Sequence, residues 1–160
     1  MPKRFLAWLG LALAVIVLDQ ASKHAIEAAL HLGEAHSIIP GLFNLTLAYN
    51  PGAAFSFLAN AGGWQKHFFT VLALGVSVFL VLQLKKHPEQ TRSSLAFSLI
   101  LGGALGNVID RVLLGHVIDF IQVYYGRWYY PAFNIADSAI CVGAALMVWE
   151  SFASRKKDAA

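Results

Sequence analysis

Four stretches of the chain stay apolar long enough to cross a bilayer, and polar or turn-forming residues mark the gaps between them. A spanning helix needs about 20 mostly apolar residues. Residues 5–18 carry no charge, and the apolar pattern continues past Asp19 toward Ala29. Residues 68–84 and 93–109 are each 17 residues without a charge, and 132–149 are 18 residues with Asp137 alone. Together these windows predict spans near 5–27, 67–84, 93–111 and 132–151. Residues 35–65 also lack Asp, Glu, Lys and Arg. A helix is not expected there, because Pro40-Gly41, Asn50-Pro51-Gly52 and Gly62-Gly63 interrupt it too often.

The two larger connections, 30–66 and 112–131, have patterns of their own. Phe43, Leu45, Leu47 and Tyr49 alternate with Asn44, Thr46, Ala48 and Asn50, the period of a strand. Asn50-Pro51-Gly52 is turn chemistry, and Phe55 and Phe57 then alternate with Ala54 and Ser56. A small β-hairpin or curled sheet on the outer membrane surface is expected. The second connection carries Tyr124, Tyr125, Trp128, Tyr129 and Tyr130, with Phe133 just beyond. Amphipathic rings collect at headgroup level, so this segment predicts an aromatic interfacial loop.

Composition agrees with the pattern. Hydrophobic residues make up 58% of the 160 and charged residues 13%, with a mean hydropathy of +0.59. A soluble globule of this length needs more polar surface, since charged residues are roughly a quarter of typical soluble domains. The expected class is an all-α membrane protein, one integral domain over 1–160 with four transmembrane helices and the small outer sheet. Disorder, a collagen-like fibre and a disulfide scaffold are excluded. Cys141 is the single cysteine, so it forms neither an intrachain disulfide nor a thiolate zinc site.

The net charge of +3 would suggest nucleic acid in a soluble protein. Here the basic residues read as topology signals. Lys3 and Arg4 precede the first span, Lys85, Lys86 and Arg92 lie between the second and third, and Arg155, Lys156 and Lys157 follow the fourth. Lys23, Lys66, Arg111 and Arg127 fall on the other side. The positive-inside rule then places both termini in the cytoplasm and both connections outside. Lys3-Arg4 before an apolar run also resembles a secretory leader. No A-x-A site follows and Asp19-Gln20 fall where cleavage would occur, so the segment reads as a retained span. Small-residue spacings at Gly10/Ala14, Gly102/Gly106 with Gly103, and Ala139/Gly143 predict close helix packing.

Ionisable groups inside spans are costly and mark function by default. Asp19 and Lys23 are four apart on the first helix and can pair. Asn107, Asp110 and Arg111 can share one face at the outer end of the third. Asp119 stands alone in Val117-Ile118-Asp119-Phe120-Ile121. Asp137 falls in the first two turns of the fourth helix if Pro131 starts it, with Asn134 on its face or as its cap. Taken singly, these are an ion pair, a scaffold fastening the loop, a loop carboxylate and a helix-end charge. Taken together, Asp119 and Asp137 sit at one membrane depth in partly dry surroundings. Two close carboxylates there share a proton, and such a pair activates water and protonates a carbonyl, as in aspartic proteases. Metal and serine or cysteine plans find no support: there is no H-E-x-x-H, the six histidines show no ligand spacing, and Ser22 and Lys23 are adjacent on a helix and point apart. Two rivals remain open. One is a small transporter with a polar pathway through Asp19, Lys23, Asp110, Arg111 and Asp137. The other is a non-catalytic membrane protein that binds lipid headgroups.

Five motifs in order carry a resemblance over nearly the whole chain: Asp19-Gln20-x-Ser22-Lys23, Asn50-Pro51-Gly52-Ala53-Ala54-Phe55-Ser56, Gly106-Asn107-x-x-Asp110-Arg111, Val117-Ile118-Asp119-Phe120 and Phe133-Asn134-Ile135-Ala136-Asp137-Ser138. The sequence resembles the bacterial lipoprotein signal peptidases, or signal peptidase II. That resemblance implies an intramembrane aspartic endopeptidase of the inner membrane, with its active site toward the periplasm. It implies removal of signal peptides from diacylglyceryl-modified prolipoproteins, with the cut just before the lipidated cysteine. Asp119 and Asp137 are then the expected catalytic pair. Asp19, Lys23, Asn50, Asn107, Asp110, Arg111 and Asn134 are expected to support the site or hold substrate. The implied partners are the prolipoprotein, membrane lipid and an inhibitor of the globomycin type. The chain is expected as a monomer without metal, cofactor or nucleic acid. A lid formed by the segment around Asn50 and the aromatic connection is a further expectation.

Overall fold

Each apolar window folds as a helix that runs on until a turn residue or a charge cluster stops it. The computed structural model describes residues 3–51 and 63–158. Helix α1 spans Lys3–Ala29, α2 Trp64–Lys86, α3 Thr91–Leu113 and α4 Ile135–Asp158. Gly63 enters α2 with φ 86°, a conformation open to glycine, and Lys85 and Lys86 complement the carbonyl end of that helix. Gly115, at φ 81°, turns the chain out of α3. Four helices among the described residues are long and apolar enough to cross a membrane.

Helix α3 is the centre of the bundle and packs against each of the other three. Of its apolar window 56% is buried, against 22%, 17% and 17% for α1, α2 and α4. The outer helices turn Leu13, Val17, Val71, Val78, Phe79 and Trp149 outward, as suits a lipid solvent.

Glycine lets the neighbours approach α3. A Cβ on Gly102 would fall 2.6 Å from the Ala12 carbonyl oxygen of α1, and one on Gly143 would fall 2.6 Å from Ile100. A Cβ on Gly103 would clash with the Ala136 carbonyl oxygen of α4. The expected packing role of Gly10 is not observed, because among the described residues nothing lies within 4 Å of its missing side chain. Small-residue spacing alone does not tell the packed face from the lipid face. Gly103→Val is expected to push α3 from α4 and cost about 1–3 kcal/mol, read as a lower unfolding midpoint in detergent together with lost activity.

The connections build one antiparallel sheet. Strand β1 is Ala35–Ile39, β2 Phe43–Asn50, β3 Val117–Tyr125 and β4 Trp128–Tyr129, paired in that order. The turn of the β1–β2 hairpin is at Pro40-Gly41, with Gly41 at φ 83°. The partner limb expected at residues 54–57 lies outside the described residues. Instead β2 pairs with β3, with Ala48 opposite Asp119 and Asn50 opposite Val117. The segment expected as an aromatic loop is thus largely a strand and a short hairpin. The Tyr124 and Tyr129 rings stack 5.1 Å apart, and the Tyr124 hydroxyl accepts from Gly41 N–H at 2.8 Å, joining the two hairpins.

Helix α4 begins at Ile135 rather than at Pro131. Asn134 is its cap: the side-chain oxygen accepts the Asp137 N–H at 2.9 Å, as expected for an asparagine there.

Candidate active site

The C-terminal ends of α1 and α3 and the N-terminal end of α4 meet beside the sheet, and the polar residues of all four elements interlock there. On α1, Lys23 is fully buried. Its ammonium donates to Asp19 Oδ2 at 2.7 Å, to Asp110 Oδ2 at 2.8 Å and to Asn107 Oδ1 at 3.1 Å. Spacing predicted the Asp19 pair; Asp110 is supplied by the fold. A buried lysine is tolerable when paired and fully hydrogen-bonded, as this one is.

Each acid of the cluster is satisfied in turn. Asp19 Oδ1 accepts Ala136 N–H at 2.9 Å, beside the positive end of α4. Its approach to α3 needs Gly106, where a Cβ would fall 2.7 Å from Asp19 Oδ2. Asp110 Oδ2 also accepts Ile118 N–H at 3.2 Å, tying β3 to α3. Gln20 donates to Asp110 Oδ1 at 2.7 Å. Sequence reasoning gave Gln20 no role, since a residue next to Asp19 on a helix does not share its face.

Asn107 and Asn134 carry the network to Asp137 and Asp119. Asn107 Nδ2 donates to Asp137 Oδ1 at 2.8 Å. Asn134 Nδ2 donates to Asp119 Oδ1 at 2.8 Å and lies within reach of Asn107 Oδ1 at 3.2 Å and Ile118 O at 3.1 Å. Asn50, at the end of β2, donates to Asp119 Oδ2 at 3.2 Å. Asp119 is 3% exposed. Burial, and after it the charge of Asp137, push Asp119 up to about 7 against the opposing amide bonds and Lys23.

Both carboxylates line one cavity of about 780 Å³. Asn50, Asn107, Arg111 and Phe69 share its walls. Arg111 donates to the Asn107 carbonyl at 3.3 Å and lies 5.8 Å over the Phe69 ring. Its Nε is buried and has no hydrogen-bond partner among the described residues. The structure therefore gathers every expected site residue into one connected region, with Asp119, Asp137, Asn50, Asn107 and Arg111 on the cavity and Asp19, Lys23, Asp110 and Asn134 behind it. Among the described residues no group of His, Cys, Asp and Glu is arranged to hold a metal ion. Chemically, the arrangement offers two carboxyl groups, firm amide donors and an apolar enclosure.

Known proteins resemble this chain over most of its length. Residues 11–153 match the model of a family described as Signal peptidase (SPase) II. A lipoprotein signal peptidase of Chromobacterium violaceum is 59% identical over 145 residues, covering 90% of this chain and 90% of that one. One from Neisseria meningitidis serogroup B is 56% identical over 146 residues, covering 91% and 88%. A solved structure described as a bacterial membrane enzyme, obtained in meso at 2.3 Å, superposes with a TM-score of 0.84 at 32% identity, covering 94% of this chain and 90% of that one. A second, at 1.9 Å, gives 0.76 at 33% identity, covering 90% and 91%. Four spanning helices, one interlocked polar cluster and matches across nearly the whole length lead to one assignment: the chain belongs to the signal peptidase II family.

Proposed function

We propose that the chain is an intramembrane aspartic endopeptidase acting on diacylglyceryl-modified prolipoproteins, with Asp119 and Asp137 as its catalytic pair. The bond cut is the one just before the lipidated cysteine. The observation that carries this reading is the shared cavity: two carboxylates line it, each gripped by an asparagine amide, and burial raises Asp119 to about 7. Relatives named lipoprotein signal peptidase support the substrate class. Asn50, Asn107 and Asn134 support the carboxylates. Arg111, partly buried on the cavity wall, holds substrate. Asp19, Lys23 and Asp110 lock the helix ends together. Membrane lipid is the surrounding partner, a globomycin-type peptide an inhibitor of the same cavity, and the working unit a monomer.

The basic residues at both chain ends and in the α2–α3 connection support cytoplasmic termini in the inner membrane, with the cavity on the periplasmic side. A fluorescent protein that matures only in the cytoplasm, fused after Ala160, is expected to glow; a dark, stable fusion would reverse the topology. Phe55, needed for the lid expectation, lies outside the described residues.

Purified protein in lipid or detergent is expected to shorten a diacylglyceryl-modified prolipoprotein by its signal peptide and to leave the unlipidated precursor intact. No cleavage of the lipidated form, where an active relative cleaves it, would sink the reading.

The value of about 7 at Asp119 sets the pH dependence. A protonated Asp119 is required as acid, so kcat/KM is expected to fall as pH rises through about 7. The stability sign is the same. A carboxyl raised from about 4 in the unfolded chain favours the fold below that pH, and the contribution is lost as pH rises toward 7. Asp119→Asn is expected to flatten this slope, seen as unfolding midpoints less sensitive to pH between about 4 and 7.

A further inference from the structure

The hydrogen-bond directions around the dyad are set by two groups that can only donate. Lys23 Nζ has three protons and meets three acceptors: Asp19 Oδ2, Asp110 Oδ2 and Asn107 Oδ1. Asn107 must therefore present its oxygen to Lys23, which turns its Nδ2 onto Asp137 Oδ1 at 2.8 Å. The backbone N–H of Asp137 likewise holds Asn134 by its oxygen at 2.9 Å, turning that amide's Nδ2 toward Asp119 Oδ1 and toward Asn107 Oδ1. The two assignments agree with one another at the Asn107–Asn134 contact. Oδ1 of each carboxyl is thus committed as an acceptor. Asp119 Oδ2 also accepts from Asn50 at 3.2 Å, the longer bond, and Asp119 donates to substrate only once that bond is given up.

We propose that Lys23 is a positioning residue for the reaction: acting through Asn107, it keeps Asp137 a proton acceptor, so that Asp137 takes the proton of the attacking water and Asp119 donates to the scissile carbonyl. The proposal rests on the peptidase reading and adds what fixes the division of labour between the two carboxyls. Water oxygen bonds to the carbonyl carbon as its proton passes to Asp137, and the Asp119 proton passes to the carbonyl oxygen. The C–N bond then breaks. Asp137 returns its proton to the leaving amine, and the proton on the oxygen goes back to Asp119 as the new carboxyl forms. The asymmetry has a second support in burial, since Asp119 is enclosed at 3% exposure whereas Asp137 is less deeply covered. The charged groups around the pair are Asp19 and Lys23 of α1, Asp110 and Arg111 of α3, and each other.

The test removes the cation without changing the net charge. Lys23→Met combined with Asp110→Asn deletes one positive and one negative charge. On lipidated prolipoprotein, this variant is expected to keep KM within about twofold and to lose about 10–100-fold in kcat. The acidic limb of its kcat profile is expected to move to higher pH. Asn107→Leu leaves the Lys23 bridges to Asp19 and Asp110 in place and is expected to move the same limb. The triple variant is expected to fall no further than Asn107→Leu alone, because residues acting as one unit are not additive. A parental kcat profile in the charge-matched variant overturns the proposal, as does a change confined to KM. If that variant does not fold, Asn107→Leu decides alone, and an unmoved acidic limb overturns the proposal. A parent protein that cleaves nothing fails the peptidase reading itself, a result distinct from all of these.

Discussion

Asparagine at position 119 or at position 137 is expected to lower turnover about a thousandfold or more while the protein still folds and still binds substrate. The expectation follows from what each oxygen does. Asp137 Oδ1 accepts from Asn107, and Asp119 Oδ1 accepts from Asn134. An asparagine can present its carbonyl oxygen to the same amide, so the frame survives. It supplies neither a base nor an acid, so the proton moves are lost. With the two carboxylates acting as one unit, as proposed, the double variant is expected to be no slower than the worse single variant, within experimental spread. The check is single-turnover cleavage of lipidated prolipoprotein, with binding measured separately on each variant. Residual activity within about tenfold of the parent in either variant would remove that residue from the chemistry.

Asn134→Leu has the second largest expected effect, and it falls on stability as well as activity. Asn134 is fully buried, caps α4 through Asp137 N–H, and holds Asp119 Oδ1. Leucine leaves the first turn of α4 without its cap, a loss of about 1 kcal/mol. It also strips a buried acceptor of its donor, at about 1–3 kcal/mol. The sum is a destabilisation of about 2–4 kcal/mol and a loss of turnover of a hundredfold or more. Thermal unfolding in detergent and the cleavage rate check the two parts. Asn134→Asp keeps the cap and so is expected to recover much of the stability. It sets another carboxyl 2.8 Å from Asp119 and so is not expected to recover turnover.

The helices were legible because lipid demands long apolar runs, and each of the four windows lies almost wholly within an observed helix. The start of α4 was placed early because Pro131 is a good first helical residue, whereas Asn134 is the better cap and carries the hydrogen bond that decides the boundary. Strand β2 was legible because its residues alternate. Strand β3 was not, because Val117, Ile118, Asp119 and Phe120 are all buried, and a strand covered on both faces shows no alternation. Strand β1 was hidden for the opposite reason: all five of its residues are exposed.

The site divided along similar lines. Helical spacing found the Asp19–Lys23 pair and, of the face expected for Asn107, Asp110 and Arg111, the two residues that meet Lys23; Arg111 instead donates to the Asn107 carbonyl and lines the cavity. It did not find that Lys23 also bridges to Asp110, or that Gln20 reaches the same acid, because those contacts join α1 to α3 and no local period encodes them. The pairing of Asp119 with Asp137 was inferred from their chemistry. Geometrically it depends on Ile118 N–H docking onto Asp110 and on Asn134 bridging strand to helix.

The most direct measurement is a single turnover of lipidated prolipoprotein in water enriched in oxygen-18, with both products and the protein weighed by mass spectrometry. Direct attack by water held at Asp137 predicts one heavy oxygen in the new carboxyl terminus of the signal peptide, at the residue before the lipidated cysteine, and none in Asp119 or Asp137. An unlabelled peptide product with the heavy oxygen in an enzyme carboxyl would mean that an aspartate had attacked the bond itself, and a cut at any other position would contradict the assigned substrate geometry.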